Sequence, residues 1–377
     1  MPRPTPTLVP PLAQVPSPIP PLAPIRARGR FAARWTTIAL GMAGLACVTL
    51  AVGCVEIVAW AMVRAPNQHL RMENLPATSE LLLAANGVDR EMRVAVGPPT
   101  ASLSVWIIEP KGAAKDAARA ELRNAATADS KNVVANEPRG PNEPRGTVLV
   151  LHGIMARKDW MLGVGRKLAE NGYRAVLVDL RGHGKSSGDW ITYGVVETRD
   201  LQQVLDALDR EELLAGPVGV YGASFGAACA IQLAGADSRV RAVVAVAPFQ
   251  SLDAVLPPAA REFVPFGESL ISDEILTKAK RRAANLADFD PSQADTLAAI
   301  RKTHARILII HGRDDGKIPV SQSEKLAEAG PSGTRLLVLD REGHYSIMMD
   351  GSGVLMRETV GWFGAAGAEG SRGQGAE

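Results

Sequence analysis

The chain has 377 residues, 46% of them hydrophobic, and a formal net charge of +2, so it can bury one large core or two ordinary ones. The charge is uneven: residues 1–64 hold six arginines against the single acid Glu56, and the remainder, slightly acidic, lacks the basic surface of a nucleic-acid-binding protein. Two of the three cysteines, Cys47 and Cys54, lie in an apolar run, which leaves Cys229 without a disulfide partner and without metal-type spacing to histidine.

The N-terminal region divides into a tail and an apolar run. Proline recurs too often in residues 2–24 for a helix or strand, so residues 1–34 are predicted to be a disordered tail rich in proline and arginine. The run at 35–63 exceeds the roughly 20 residues that cross a hydrocarbon core. Because the apolar part of a cleaved signal peptide spans only about 7–15 residues, we expect an uncleaved transmembrane signal anchor, with Glu56 at the membrane interface.

The orientation of this anchor follows from its flanking charges. Four arginines lie within ten residues before the apolar run, at 26, 28, 30 and 34, and two follow it, at Arg64 and Arg71. By the positive-inside rule the tail is predicted to be cytoplasmic, and the rest of the chain extracytoplasmic. The lipid bilayer is then a partner through residues 35–63, and residues 64–90 form a linker to the next domain.

That domain is predicted to cover residues 91–363 and to open with two strands, Met92–Val96 and Ser102–Glu109, joined by a Gly-Pro-Pro turn. From 111 to 146 the composition changes to alanine, lysine, asparagine and arginine, and the segment ends in a duplicated Asn-Glu-Pro-Arg-Gly. We interpret it as an exposed insertion between strands. Residues 364–377 are predicted to be a disordered glycine-rich tail.

From Thr147 onward, short apolar runs alternate with segments of helical periodicity. The predicted strands are Thr147–Leu151, Arg174–Leu180, Val218–Tyr221, Val240–Val246, Ala305–Ile310 and Arg335–Leu339. The helical segments include Trp160–Asn171, Val196–Leu208 and Ser321–Ala329. This alternation is typical of an α/β fold whose mostly parallel central sheet has helices on both faces. Residues 250–304 are largely helical and too long for a connection, so we expect a small lid over the carboxyl edge of the sheet.

One short motif dominates the chemistry of the chain. Gly222-Ala223-Ser224-Phe225-Gly226 has the form Gly-x-Ser-x-Gly and lies between a predicted strand and a helical stretch of small residues. A sharp strand-to-helix turn of this kind exposes the central serine as a nucleophile. Polar clusters also follow four other predicted strands, at the same edge of a parallel sheet. They are His152-Gly153, the segment from Asp179 to Ser186, the segment from His311 to Pro319, and Glu342-Gly343-His344.

As a set, these motifs are similar to those of the α/β-hydrolase family of serine hydrolases. The resemblance covers about Thr147 to Phe363 and rests on the five motifs above, with Asp179-x-Arg181-Gly182-His183-Gly184 and His311-Gly312-x-x-Asp315-x-x-Ile318-Pro319 the longest. More narrowly, the chain resembles the branch that carries an N-terminal membrane anchor. The resemblance implies the α/β-hydrolase fold, preceded here by one N-terminal transmembrane helix.

A serine nucleophile needs a base to accept its proton and a carboxylate to orient that base. Ser224, Asp315 and His344 occur in the order Ser, acid, His that hydrolases of this fold show. Asp314 is the rival acid; the spacing of the family motif favours Asp315. Asp253, after another strand, is a third candidate.

The oxyanion of an acyl transition state needs two backbone N–H donors. The residue after the nucleophile, Phe225, supplies one. By family resemblance the other is Ile154, and Met155 remains possible. His152, His183 and His311 are predicted to be structural residues that close turns at strand ends.

The sequence thus predicts a serine hydrolase that cleaves carboxylic esters, in the manner of an esterase or lipase, through an acyl-enzyme intermediate. No cofactor or metal is expected, and the expected partner is a small-molecule acyl ester or lipid-like substrate, with no nucleic acid. The alternatives are a serine peptidase of the same fold and a non-catalytic binding protein at the membrane. The oligomeric state is left open.

Overall fold

The computed structural model describes residues 53–66, 78, 80–110, 143–256 and 271–370. They belong to one compact unit that begins at Gly53, well before the predicted domain boundary at residue 91. Outside the described residues lie the predicted tail 1–34, residues 35–52 of the predicted anchor, most of the predicted insertion, residues 257–270 of the predicted lid, and the end of the chain.

A single sheet of eight strands forms the centre of the described fold, in the order β1-β2-β4-β3-β5-β6-β7-β8. The strands are β1 (Arg90–Val96), β2 (Ala101–Ile108), β3 (Thr147–Leu151), β4 (Arg174–Val178), β5 (Val218–Ala223), β6 (Val240–Val246), β7 (Arg306–Gly312) and β8 (Arg335–Leu339). The first two form an antiparallel pair, β2 pairs antiparallel with β4, and every later pair is parallel. The predicted α/β architecture with a mostly parallel sheet is confirmed.

Eleven helices flank this sheet within the described residues. They are α1 (53–63), α2 (Glu80–Ala85), α3 (Leu162–Glu170), α4 (Val195–Arg210), α5 (Phe225–Ala236), α6 (252–256), α7 (Asp273–Ala287), α8 (Thr296–Ile300), α9 (Val320–Ala329), α10 (Ser346–Met349) and α11 (Val354–Gly370). Two short 3-10 helices, Lys158–Met161 and Pro291–Gln293, precede α3 and α8.

The apolar side chains form two cores, one on each face of the sheet. Helices α1, α4, α5 and α7 contribute to one core, and α2, α3, α10 and α11 contribute to the other. Because both faces are covered, the parallel strands are apolar along their whole length rather than at alternate positions. The carboxyl edge of the sheet is left for the loops.

Three of the predicted boundaries that differ from the structure have a physical reason. Strand β4 ends at Val178, two residues early, because the N–H of Leu180 donates to the ring of His152 instead of to a neighbouring strand. Helix α11 continues to Gly370, into the predicted glycine-rich tail, where alanine favours a helix over coil. The predicted linker 64–90 includes helix α2, whose Leu83 is buried in the second core.

Helix α1 corresponds to the last part of the predicted transmembrane segment 35–63, and it packs against the domain. Val58, Ala59, Met62 and Val63 are buried in the first core. The hydroxyl of Tyr193 donates a hydrogen bond of 2.7 Å to the carbonyl of Met62. These contacts make α1 an integral part of the fold.

The acidic residue of this helix is paired with a basic residue of the same chain. Glu56, predicted to lie at a membrane interface, accepts a 2.9 Å hydrogen bond from Nε of Arg282 on α7. Within the described ranges, no helix combines the length and the apolar character that a membrane crossing requires.

We expect a protein that starts at Pro66 to be less stable than one that starts at Gly53. The shorter protein lacks Val58, Met62 and Val63, and full burial of each such side chain contributes roughly 1.5–3 kcal/mol to folding. Allowing for a compact unfolded state, the free energy of unfolding should fall by about 3 kcal/mol or more. Urea titration of the two proteins measures this difference, and equal midpoints would contradict the structural role of α1.

Candidate active site

Ser224 stands at the sharp turn between β5 and α5. Its backbone has φ 53° and ψ −114°, a strained conformation for a residue with a side chain, and its N–H is held by the carbonyl of Val246 at 2.8 Å. A Cβ on Gly222 would collide with the carbonyl oxygen of Gly226, and one on Gly226 would lie 2.5 Å from the carbonyl oxygen of His152. The glycines therefore allow the helix to approach the strands closely enough to make the turn.

Ser224, His344 and Asp315 form one continuous chain of hydrogen bonds. The Ser224 Oγ lies 3.1 Å from Nε2 of His344, and Nδ1 of His344 lies 2.7 Å from Oδ2 of Asp315. The carboxylate only accepts hydrogen bonds, so Nδ1 carries the proton, and Nε2 can accept the proton of the serine hydroxyl. The structure brings these three predicted residues together from the turn after β5, the loop after β7 and the loop after β8.

Asp315 is held as a carboxylate by several donors. Its Oδ1 accepts hydrogen bonds from the backbone N–H groups of Lys317 at 2.9 Å and Ile318 at 2.8 Å. Burial by itself would raise the pKa of Asp315, but the hydrogen bonds from His311, His344 and the Ile318 amide hold that pKa well below its ordinary value. The group therefore stays ionised at neutral pH.

The two rival acids lie elsewhere. Asp314 is exposed, and its backbone N–H donates to the carbonyl of Glu342. Asp253 forms an exposed ion pair with Lys280. Of the three candidates, only Asp315 reaches the imidazole of His344.

His311 has a closer relation to the site than the sequence indicated. Its Nε2–H donates to the carbonyl of Ile318 at 2.8 Å and lies 3.3 Å from Oδ2 of Asp315, while its Nδ1 accepts from the hydroxyl of Ser323 at 2.6 Å. Thus His311 closes a turn, as predicted, and also helps to fix the carboxylate. The spacing of four residues between His311 and Asp315 is the one feature of the sequence that could have indicated this contact.

The predicted oxyanion donors lie beside the serine. Gly153 is so close that an added Cβ would lie 3.4 Å from Cβ of Ser224, which puts the loop after β3 against the nucleophile. In the part of the chain that the structure describes, the amides of Ile154, of the alternative Met155 and of Phe225 have no hydrogen-bond acceptor. Two such amides, at the loop and at the start of α5, are available to a developing negative charge.

Two neutral histidines pack against each other next to Phe225. The rings of His152 and His183 lie 4.9 Å apart, and His183 stacks on Phe225 at 5.8 Å. Burial lowers the pKa of both histidines, that of His183 to about 3. His183 Nδ1–H donates to the carbonyl of Arg181, and His152 bonds to backbone groups on both sides of its ring. Both residues are structural, as the sequence predicts.

Comparison with known proteins gives a family and two relatives. Residues 142–273 match the family described as Serine aminopeptidase, S33. YqkD, an uncharacterized protein of Bacillus subtilis (strain 168), is 28% identical over 224 residues, which cover 58% of this chain and 71% of YqkD. YfhR, an uncharacterized protein of Escherichia coli (strain K12), is 25% identical over 217 residues, covering 57% of this chain and 68% of YfhR.

Two solved structures show the same fold. An esterase of Pyrococcus furiosus superposes with a TM-score of 0.55 at 19% identity, covering 77% of this chain and 98% of the esterase. A 2,6-dihydroxy-pseudo-oxynicotine hydrolase superposes with a TM-score of 0.52 at 17% identity, covering 74% of this chain and 68% of that hydrolase. At these identities the likeness concerns the fold.

The fold is of the serine-hydrolase α/β type, and the arrangement around Ser224 is compatible with that type. The chain has the α/β-hydrolase fold, as its sequence predicts, and residues 142–273 match the family of serine aminopeptidases named above. The narrower prediction, the branch with an N-terminal membrane anchor, concerns residues that lie largely outside those described.

Replacement of the two neighbouring aspartates should separate their roles. We expect Asp315→Asn to lower kcat by about 1,000- to 10,000-fold, because the amide favours the wrong tautomer of His344. Asp314→Asn, the matched control, changes an exposed side chain, and its effect should stay within about twofold. Initial rates of ester hydrolysis measure both variants, and equal losses would refute the assignment of Asp315.

Proposed function

We propose that this protein is a serine hydrolase that cleaves carboxylic esters through an acyl-enzyme at Ser224. In this proposal His344 is the general base and acid, and Asp315 orients it. The amides of Ile154 and Phe225 bind the oxyanion. The observation that carries the proposal is the unbroken path from the Ser224 hydroxyl through the imidazole to the buried carboxylate.

The reaction proceeds in two halves. The Ser224 Oγ attacks the carbonyl carbon of the ester as its proton moves to Nε2 of His344. The tetrahedral intermediate collapses, the C–O bond to the alcohol breaks, and the alcohol leaves with the proton from the imidazolium. A water molecule then attacks the acyl-enzyme, gives its proton to Nε2, and the acid is released as Ser224 recovers its proton.

A small-molecule acyl ester or lipid-like compound is the substrate class that we favour. Ile154 and Met155, in the loop after β3, are exposed, and so is Tyr345, whose ring lies 5.5 Å from the ring of the proposed base His344. Exposed apolar side chains in this region suit the acyl part of an ester. The Pyrococcus furiosus protein of similar fold is described as an esterase.

A fluorophosphonate probe tests the nucleophile directly. The wild-type protein should be labelled and should hydrolyse p-nitrophenyl butyrate, since both reactions need an activated serine. Ser224→Ala should lose labelling and at least about 1,000-fold in kcat, because it removes the attacking oxygen. Equal labelling of the two proteins would refute the proposed nucleophile. An unlabelled but folded wild type would favour a non-catalytic binding protein.

A serine peptidase is the second candidate, because the matching family is described as Serine aminopeptidase. The same triad would then attack an amide carbonyl. Comparison of kcat/KM on aminoacyl p-nitroanilides and on p-nitrophenyl esters of matched acyl size separates the two. A higher value on the anilides would replace the ester assignment and keep the site.

The location at a membrane is also part of the proposal. The tether is assigned to residues 35–52, which are apolar and uncharged over a length close to that of a bilayer-spanning helix. The catalytic domain is placed outside the cytoplasm by the arginines that precede the run. We expect the full chain to stay in the membrane fraction after carbonate washing and a protein starting at Gly53 to be released. Release of both would refute the tether.

A further inference from the structure

The loop at 152–157, here the oxyanion loop, joins β3 to the 3-10 helix and carries Ile154. A turn closed by the Ala156 N–H and the Gly153 carbonyl, 3.1 Å apart, forms its middle. Met155 within that turn has φ 63°, which a residue with a side chain keeps only when its surroundings impose it. Since the side chains of Ile154 and Met155 are 39% and 67% exposed, they do not anchor the turn.

The loop is instead fixed at its two ends, and each end is hydrogen-bonded to a residue that directly follows β4. At the first end, Nε2 of the buried His152 accepts a 3.0 Å hydrogen bond from the N–H of Leu180. At the second end, the N–H of Lys158 donates to Oδ1 of Asp179 at 2.7 Å. Since β3 and β4 are neighbouring parallel strands, both ends of the loop are held against the adjacent strand.

The second end is held by charge as well. Lys158 Nζ donates to Oδ2 of Asp179 at 2.6 Å and to Oγ of Ser104 at 2.9 Å, and it lies 4.6 Å from the ring centre of Trp106. Both charged side chains are nearly inaccessible, with 3% and 2% of their surfaces exposed. Burial would raise the pKa of Asp179, but the charge of Lys158 and the hydrogen bonds from its ammonium and its backbone N–H lower that pKa below its ordinary value.

A buried ion pair of this kind is a poor way to gain stability. Its desolvation costs about as much as the attraction returns, and apolar replacements are often neutral or even stabilising. What the pair does supply is position, because Lys158 binds one carboxylate with both its backbone N–H and its side chain. The 3-10 helix and the loop before it are thereby fixed on β4.

We propose that Lys158 and Asp179 are positioning residues for the oxyanion loop. The pair holds the backbone so that the Ile154 amide points at the oxyanion formed at Ser224. This inference rests on the proposed function, and it adds two residues that neither the triad nor the elbow motif includes.

The test replaces the pair with apolar side chains, Lys158→Met with Asp179→Leu, and measures saturable labelling of Ser224 by a fluorophosphonate. Labelling requires the activated serine and stabilisation of the phosphoryl oxygen, and it does not depend on which acyl substrate the enzyme prefers. We expect the limiting rate of labelling to fall at least tenfold while the probe concentration at half-saturation stays within twofold. Affinity for an aryl trifluoromethyl ketone, which forms an oxyanion at Ser224, should fall by a similar factor.

A second buried ion pair offers a matched control. Arg181 and Asp200 have the same exposed fractions, 3% and 2%, but they join the loop after β4 to helix α4 and do not contact the oxyanion loop. Arg181→Met with Asp200→Leu should leave the limiting rate of labelling within threefold of the wild type, whatever its change in melting temperature.

Three results would overturn the proposal. The first is a limiting rate of labelling in the Lys158/Asp179 variant that equals the wild-type rate. The second is an equal loss of this rate in both double variants, in proportion to their loss of stability. The third is an unlabelled wild type, which would refute the proposed function itself and with it the role of the loop. If the double variant does not fold, the single variant Lys158→Gln takes its place. A wild-type limiting rate of labelling in that variant also refutes the positioning role.

Discussion

The structure depends on the sharp turn at Ser224. A strand from the centre of the sheet passes directly into a buried helix, and the serine between them has a positive φ. The turn is possible because Gly222 and Gly226 let backbone atoms approach where a Cβ would collide. As a result the hydroxyl stands at the carboxyl edge of the sheet, and the start of helix α5 presents the Phe225 amide beside it.

Around this turn, the neighbouring loops are held by buried polar groups rather than by apolar packing. Asp315 is fixed by two amides and two imidazoles, and Asp179 by Lys158 and the amide of Lys185. Loops at the edge of a parallel sheet cannot bury much apolar surface, so directional hydrogen bonds and ion pairs position their backbone. The buried His152 and His183 also position these loops, and they are neutral because burial keeps their pKa values low.

Helix α1 packs near this edge of the sheet. Its buried side chains share a core with Tyr193, whose ring contacts Phe225 and Phe249. Residues 53–63 are therefore part of the folded unit, and they pack close to the elbow.

The sequence by itself determined the repeating α/β pattern, the position of the elbow and the identity of Ser224, Asp315 and His344. These features are local: strand and helix periodicity, glycines that a tight turn requires, and a fixed order of motifs after strands. Only the tertiary structure decided that 53–63 packs on the domain, that His311 supports Asp315, and that Lys158 is buried against Asp179. Apolar periodicity is the same for a helix in lipid and a helix on a core, and a lysine before a helix is usually exposed. The contacts of α1 and of Lys158 join residues that lie far apart in the chain, and only the packing of the whole sheet brings them together.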